Sequence, residues 1–148
     1  MQERKNMNVL IDANLILDVL QKRMPFFDSS NEVLEYCASG KIQGYIALHS
    51  VSNIFYIMRK YYSVKTRRKL LLGVLEFLQV ADIPHENVKN ALLRDDFSDF
   101  EDCLQDECAK NVIAEYIITR NVIDFSTSNT PAITPENFLK LFAQPTMD

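Results

Sequence analysis

The sequence of 148 residues contains three glycines, Gly40, Gly44 and Gly73. A phosphate-binding P-loop and a dinucleotide-binding glycine fingerprint both need several glycines at fixed spacing. There is also no Gly-x-Ser-x-Gly segment, the turn that carries the nucleophile of α/β-hydrolases. The scarcity of glycine therefore excludes P-loop nucleotide hydrolysis, nicotinamide redox chemistry and α/β-hydrolase chemistry.

Histidine and cysteine are scarce as well. His49 and His85 are far apart, and the three cysteines form no Cys-x-x-Cys pair. Neither a disulfide framework nor a zinc site is therefore indicated. We expect Cys103 and Cys108 to be core residues of a helix, because free cysteine is usually buried.

No apolar run approaches the roughly 20 residues that a transmembrane helix needs. The segment 1–6 is polar and unlike a signal peptide. Apolar residues make up 47% and charged residues 24%, as is ordinary for a globular domain. We expect one cytoplasmic domain over residues 1–148 without a membrane partner, with residues 1–6 as a candidate disordered extension and Met7 as a candidate start.

The net charge of −4 argues against a protein that coats nucleic acid by bulk electrostatics. Charge is nevertheless segregated along the chain, and seven acids without a base lie between residues 95 and 107. A basic segment without an acid contains Arg59, Lys60, Lys65, Arg67, Arg68 and Lys69. The basic segment suits phosphate and the acidic one suits a metal, although a solvated helix face explains the basic segment equally well.

Short apolar runs alternate with helical patterns along the chain. Strand patterns occupy residues 7–11, 44–49, 80–83, 116–119 and 131–133. Helical patterns occupy residues 14–24, 30–38, 66–78, 84–93, 98–112 and 135–142, and a further helix follows Ser50 as its cap. Ser98 and Glu101 have the spacing of a capping box. The alternation predicts an α/β fold, a three-layer sandwich around a mainly parallel sheet of four to five strands.

Polar side chains cluster where these strands end, and ligands of open parallel sheets bind beyond the carboxyl ends of the strands. In chain order they are Asp12 and Asn14 after the first strand, Asp99 and Asp102 in the first turn of the helix before the fourth strand, and Asn121 and Asp124 after the fourth strand. Carboxylates held close together repel each other unless they protonate or bind a cation. Mg²⁺ and Mn²⁺ prefer oxygen ligands, and beside a phosphodiester they can activate water.

The candidates differ in how easily an ordinary structural role explains them. Asp12 is the strongest, because a charge at the end of an apolar strand is costly unless it is bound to something. The helix dipole accounts equally well for Asp99 and Glu101. A loop position accounts for Asp124. Asp18 is expected to face solvent, with a site role left open.

The chain resembles the PIN-domain family at several points. Residues 9–14, Val-Leu-Ile-Asp-Ala-Asn, are similar to the opening strand of PIN domains with its Asp-x-Asn signature. Residues 99–102, 116–121 and 124–125 resemble the later acidic motifs, and residues 133–138 resemble the closing segment of a bacterial branch. The resemblance covers residues 7–142, and the order and spacing of the motifs make it specific.

The resemblance implies a Mg²⁺- or Mn²⁺-dependent endoribonuclease, the toxin half of a VapBC-type toxin–antitoxin pair. It implies that Asp12, Asp102 and Asp124 are metal ligands or orient metal-bound water, that Asp99 supports them and that Asn14 positions Asp12. An RNA substrate, an antitoxin and a second copy of the chain are the expected partners. The basic segment would steer the RNA backbone.

Two positions depart from the family pattern. Asn53 stands where the helix after the second strand usually supplies a glutamate, and Asn121 stands where an aspartate is common. An amide adds no charge, so weaker divalent-metal affinity is expected. Both departures favour the alternative of a catalytically weak PIN fold that binds RNA or protein.

Two other classes also place an aspartate at the end of a strand. A haloacid-dehalogenase-type phosphatase needs a second aspartate two residues later, where this chain has Asn14. A receiver domain needs a lone aspartate at the end of a central strand and a matching lysine downstream. Both classes are disfavoured.

Overall fold

The computed structural model of the chain describes residues 7–143. In that range the strands are β1 (Asn8–Ile11), β2 (Gln43–Ala47), β3 (Leu78–Ala81), β4 (Tyr116–Ile118) and β5 (Ala132–Ile133). The helices are α1 (Ala13–Leu20), α2 (Phe27–Ala38), α3 (Leu48–Ile57), α4 (Val64–Val74), α5 (His85–Leu93), α6 (Phe100–Asn111) and α7 (Pro135–Ala143). Short 3-10 turns cover Met58–Lys60 and Val122–Phe125. The expected extension at residues 1–6 lies outside this range.

The five strands form one parallel sheet in the order β3-β2-β1-β4-β5. Strand β1 is central, and Val9 lies opposite Gly44 of β2 and Tyr116 of β4. Parallel strands need a crossover between them, so every carboxyl end points to the same edge of the sheet. The parallel α/β fold predicted from the sequence is confirmed.

Two hydrophobic cores lie on opposite faces of the sheet. Val9 and Ile11 belong to the larger core, which α1, α2, α4 and α7 help to fill. Leu10 belongs to the smaller core, together with Cys108 and Ala109 of α6. Successive side chains of a strand point to opposite faces, and here both faces of β1 are covered by helices. The result is the predicted arrangement of three layers, and Cys103 and Cys108 are buried as expected.

The junction between β2 and α3 differs from the prediction. The strand ends at Ala47, and α3 begins directly at Leu48 with extended backbone at Ala47 and no side-chain cap. Ser50 was predicted to cap this helix, but it lies inside the helix and is buried. No loop separates strand from helix here, so the first turn of α3 sits at the carboxyl edge of the sheet.

The starts of two other helices also differ from the prediction. Helix α4 begins earlier, because Ser63 Oγ accepts a hydrogen bond of 3.2 Å from the N–H of Thr66. It ends at Val74, so the predicted helix over 66–78 was too long. Asp99 is the residue that caps α6, rather than Ser98.

None of the described helices is long and apolar enough to cross a membrane.

Candidate functional site

A cleft of about 180 Å³ opens at the carboxyl edge of the sheet. We call it the acidic cleft. Its walls come from the starts of α1, α3 and α6 and from the segment after β4. The predicted site residues that line it are Asp12, Asn14, Asn53, Asp102 and Asn121. Residues far apart in the sequence therefore meet where open parallel sheets bind their ligands.

Asp12 lies at the junction of β1 and α1, and its residue is only 7% exposed. Its Oδ1 accepts a hydrogen bond from Gln105 Nε2 at 3.0 Å, and its Oδ2 accepts one from Thr119 Oγ1 at 2.7 Å. The N–H of Asp12 donates to the carbonyl of Ile118 at 3.0 Å, which extends the pairing of β1 with β4. These bonds fix the carboxylate in one orientation and offset part of its desolvation.

Asp99 and Asp102 lie at the start of α6 and have different surroundings. Asp99 Oδ1 accepts hydrogen bonds from the N–H groups of Glu101 (2.8 Å) and Asp102 (3.2 Å), so its carboxylate caps the helix. Asp102 is half-buried, and this burial raises the pKa of its carboxyl to about 7. Further contributions to that rise come from the negative charges of Asp99, Asp12, Asp124 and Glu101. The acids are therefore close enough to repel one another.

Asp124 is set slightly apart from the other predicted metal ligands. It lies in the 3-10 turn Val122–Phe125 and lines a neighbouring open cleft. Asn121 lines both clefts. Among residues 7–143, no three His, Cys, Asp or Glu side chains come together closely enough to hold a metal ion. The predicted trio is thus not assembled as a ready-made cation site.

The donor set of the acidic cleft nevertheless suits a hard cation. Mg²⁺ commonly takes one or two protein carboxylates and keeps several waters. Asp12 and Asp102 are two such carboxylates in one cleft. Gln105 is 4% exposed, and its Oε1 is buried without a hydrogen-bond partner in the described part of the chain. Other oxygens of the lining include the amides of Asn14 and Asn121, so a mainly oxygen donor set fits Mg²⁺ or Mn²⁺ rather than a softer metal.

His49, Glu101 and Gln105 line the acidic cleft but had no predicted role in it, and two of them contact residues of α3 or α6. Asn53 Nδ2 donates to Glu101 Oε1 at 3.2 Å, and His49 Nε2 lies 3.2 Å from the main-chain oxygen of Glu101. Burial lowers the pKa of His49, so its ring is neutral near pH 7. Nε2 is the nitrogen that donates, because the main-chain oxygen of Glu101 can only accept a hydrogen bond. Two side chains of α3 therefore hold the first turn of α6. Gln105 follows Asp102 by three residues, and that same-face spacing was the available sequence signal for it.

The expectation that Asp18 faces solvent was wrong, since Asp18 is fully buried. Arg120 donates to its carboxylate from Nε at 2.9 Å and from Nη2 at 3.2 Å, and Ser30 Oγ donates at 3.2 Å. Arg120 stands between Thr119, which binds Asp12, and Asn121, which lines the acidic cleft. Asp18 therefore anchors the segment after β4 from outside the cleft.

Asp106 shares a helix face with Asp102 by sequence spacing, but it has a different environment. Its carboxylate is buried and pairs with Arg94 at 2.9 Å. It also accepts hydrogen bonds from the N–H groups of Asn129 at 3.0 Å and Thr130 at 3.2 Å. Asp106 therefore holds the loop before β5 to α6 and does not line the acidic cleft.

The six residues of the basic segment have different environments. Arg67 donates to the carbonyls of Phe55 (2.9 Å) and Tyr62 (3.1 Å), so it holds α4 to the end of α3. Arg59 donates to the carbonyl of Tyr56 at 3.0 Å and lies over its ring. Exposed members of the segment include Lys60, Lys65, Arg68 and Lys69. The acidic cleft has none of the six among its lining residues.

The sequence model of the PIN domain matches residues 8–123. The chain belongs to the PIN-domain family. This PIN domain has the five-stranded parallel sheet described above, with the acidic cleft at the carboxyl edge. A comparison with curated protein sequences finds no match.

Three solved structures are similar to this PIN domain. VapBC2 from Rickettsia felis, bound to a DNA fragment from its promoter, has a TM-score of 0.65 and 18% identity over 86% of this chain and 98% of that chain. A toxin–antitoxin complex from Klebsiella pneumoniae has a TM-score of 0.64 and 22% identity over 86% and 97%. VapC20 from Mycobacterium tuberculosis, a sarcin-ricin loop cleaving toxin, has a TM-score of 0.58 and 10% identity over 74% and 86%. At these identities the likeness shows the fold alone.

Proposed function

We propose that this PIN domain is a divalent-metal-dependent endoribonuclease that hydrolyses RNA phosphodiester bonds. The observation that carries the proposal is the acidic cleft, in which Asp12 and Asp102 face one space beside a buried amide oxygen without a partner. PIN domains are typically metal-dependent ribonucleases, which supports this choice. The chemistry needs no covalent nucleophile, and the cleft contains no cysteine.

The roles follow from the surroundings of each side chain. A bound Mg²⁺ or Mn²⁺ would supply positive charge to the phosphodiester and lower the pKa of a water. Asp12 would offer the cation a carboxylate whose orientation is fixed by hydrogen bonds from Thr119 and Gln105. Asp102, whose pKa is raised to about 7 in the metal-free protein, would offer its ionised carboxylate to the cation. Asp99 would act through the helix cap that orients Asp102.

The remaining predicted residues take supporting roles in the proposal. Asn14 and Asn121 would offer amide groups to the cation or its waters from the two sides of Asp12. Asn53 would position Glu101. Asp124 would complete the site from the neighbouring cleft. RNA would be attracted by exposed cations of the basic segment such as Lys60 and Lys65, since phosphate contacts dominate affinity for nucleic acid.

We further propose that the protein is the toxin of a toxin–antitoxin pair. One similar structure is a toxin–antitoxin complex from Klebsiella pneumoniae, and another is VapBC2 from Rickettsia felis on promoter DNA. An antitoxin protein and a second copy of the chain would then be its partners. Light scattering of the purified chain measures its self-association, and copurification of a small protein from the native host tests for an antitoxin.

Calorimetric titration with Mn²⁺, paired with an RNA cleavage assay, tests the enzymatic proposal. Asp102→Asn should abolish Mn²⁺ binding and cleavage while leaving the fold intact, because the Asp102 carboxylate accepts no hydrogen bond from the described residues. Asp12→Ala should have the same effect on the metal, but it also leaves buried donors on Thr119 and Gln105 unpaired, which costs about 1–3 kcal/mol each. Asp28→Asn, an exposed carboxylate of α2, is the matched control.

The alternative of a non-catalytic RNA- or protein-binding module is favoured by a specific observation. The acids of the described chain are not gathered into a cation site, and Asn53 and Asn121 add no charge. Wild-type protein that binds RNA, but neither binds Mn²⁺ nor cleaves RNA in its presence, would support this module and refute the nuclease.

A further inference from the structure

A second cleft, of about 330 Å³, is lined by Gln21, Arg23, Tyr61 and Tyr62. We call it the distal cleft. The acidic cleft reaches Leu17 of α1 and Ile57 of α3, and the distal cleft begins four residues later on each segment. Four helical residues span about 6 Å, close to one turn. Because α1 packs against α3, the distal cleft lies beyond the acidic cleft along the same pair of helices.

The distal cleft presents one amide donor without an acceptor and one guanidinium that is only partly paired. Arg23 has only donors on its side chain, so the atom of Gln21 that faces it at 3.0 Å must be Oε1. Gln21 Nε2 is consequently turned away from Arg23, and it is buried without a partner among residues 7–143. The Arg23 side chain is 35% exposed, and its Nη1 lies 4.0 Å from Asp18 Oδ1. These donors favour a ligand group that is rich in acceptors and negatively charged, as a phosphate is.

Aromatic rings form the other wall of the distal cleft. Tyr61 is 68% exposed, and Tyr62 is half-buried beside it. Nucleobases stack on exposed rings of this kind in single-strand binding sites, where cations follow the backbone. Lys60 and Lys65, on either side of the two tyrosines, are exposed cations. The combination of rings and phosphate-binding donors fits a nucleotide better than it fits an apolar peptide.

We propose that the distal cleft is a subsite for one nucleotide of single-stranded RNA, in which Arg23 and Gln21 bind a phosphate and Tyr61 stacks on a base. The proposal rests on the proposed function, since the RNA would cross the acidic cleft to reach it. The strand would follow α1 from Asp12 to Gln21, a distance of about 13 Å along the helix. Tyr61 and Arg23 would thus select RNA chains long enough to occupy both clefts.

The test is binding of a fluorescently labelled oligouridylate, followed by anisotropy without added divalent cation. We expect Tyr61→Ala to weaken binding about five-fold or more, and Tyr61→Phe to retain it, because the ring carries the stacking. Arg23→Gln should weaken binding and reduce the slope of log affinity against log salt by about 0.7, the effect of one lost phosphate contact on a single strand. Lys89→Gln, an exposed cation on α5, should change neither quantity.

The outcomes separate this subsite from the nuclease proposal. Wild-type affinity in both Tyr61→Ala and Arg23→Gln would overturn the subsite and leave metal-dependent cleavage to its own test. Normal RNA binding by Tyr61→Ala with loss of self-association would assign the cleft to protein contact, and this also overturns the proposal. Wild-type protein that binds no oligonucleotide would overturn the subsite, while the cleavage assay with Mn²⁺ would still decide the endoribonuclease.

Discussion

Asp12 and Asp102 share one cleft but differ in what surrounds their carboxylates. Both oxygens of Asp12 accept hydrogen bonds from buried donors. Asp102 is half-buried among other acids, and its pKa rises to about 7. The two carboxylates therefore differ in their hydrogen bonding, and burial together with the neighbouring acids opposes the negative charge of Asp102.

The raised pKa of Asp102 predicts how the stability of the metal-free protein depends on pH. Between the ordinary value of 3.8 and about 7, the folded state holds a proton that the unfolded state has lost. The stabilising contribution is therefore full below about pH 4 and is lost as the pH rises through about 7. In EDTA, Asp102 should therefore raise the unfolding temperature at pH 6 relative to pH 8, whereas the lowered pKa of His49 acts in the opposite direction.

Asp102→Asn is the variant that isolates this effect, because the amide cannot ionise. It should be more stable than wild type at pH 8, and its unfolding temperature should differ less between pH 6 and pH 8 than that of wild type. Circular dichroism at constant ionic strength measures both. If the unfolding temperature depends on pH equally in wild type, in Asp102→Asn and in the control Asp28→Asn, repulsion at Asp102 does not set the stability.

At the scale of helices and strands, the sequence predicted elements whose signals are local. Strand β1 was predicted because three apolar residues in a row end at a charge. The end of α4 was missed because Leu75 and Leu78 keep a helical periodicity although the chain leaves the helix after Val74 and enters β3. The start of α3 was misplaced because neither glycine nor proline marks the junction after Ala47.

The same limit applies to the candidate site. Its acids could be predicted because each follows the end of a strand or begins a helix. Asp18 could not be placed, since its partner Arg120 is 102 residues away and the pairing depends on how the segment after β4 crosses α1. Glu101 was explained by the helix dipole, and only the packing of α3 against α6 brings Asn53 to its carboxylate.

The pairing of Asp18 with Arg120 gives a prediction at this scale. Asp18→Asn removes one charge of a buried, two-point ion pair and leaves Arg120 without its carboxylate partner. Breaking such a pair costs about 3–5 kcal/mol when the remaining charge stays buried. Because the Arg120 side chain is 23% exposed, we expect the lower end, about 3 kcal/mol.

Urea denaturation of Asp18→Asn, compared with Asp28→Asn, measures that loss. The control should stay within about 0.5 kcal/mol of wild type, as surface substitutions usually do. Arg120→Lys should also be less stable than wild type, because an ammonium group cannot reproduce the two-point contact. A loss below about 1 kcal/mol in Asp18→Asn would mean that other contacts hold the segment after β4.

The whole molecule places acidic and basic side chains in two different clefts. The carboxylates of Asp12 and Asp102 lie at the edge of the sheet, and Arg23 and the tyrosines of the distal cleft lie just beyond the C-terminal ends of α1 and α3. Two cores on the faces of the central strand hold this arrangement together against the repulsion among the acids. A cation in the acidic cleft would relieve that repulsion, so metal binding and folding stability should be coupled.

This coupling makes the stability of the entire domain a measure of the site. At a Mn²⁺ concentration of 100 Kd, wild-type protein should gain about 2.7 kcal/mol in unfolding free energy, since a ligand that binds only the folded state stabilises it by mass action. Asp102→Asn should gain no unfolding free energy from Mn²⁺.

Glu101→Gln should gain less unfolding free energy than wild type at equal Mn²⁺, because Asn53 holds the Glu101 carboxylate at the rim of the cleft. Glu86→Gln, in the first turn of α5, controls for the helix dipole. Equal stabilisation of all four proteins would place the metal elsewhere, and no stabilisation of wild type would remove the metal from the mechanism.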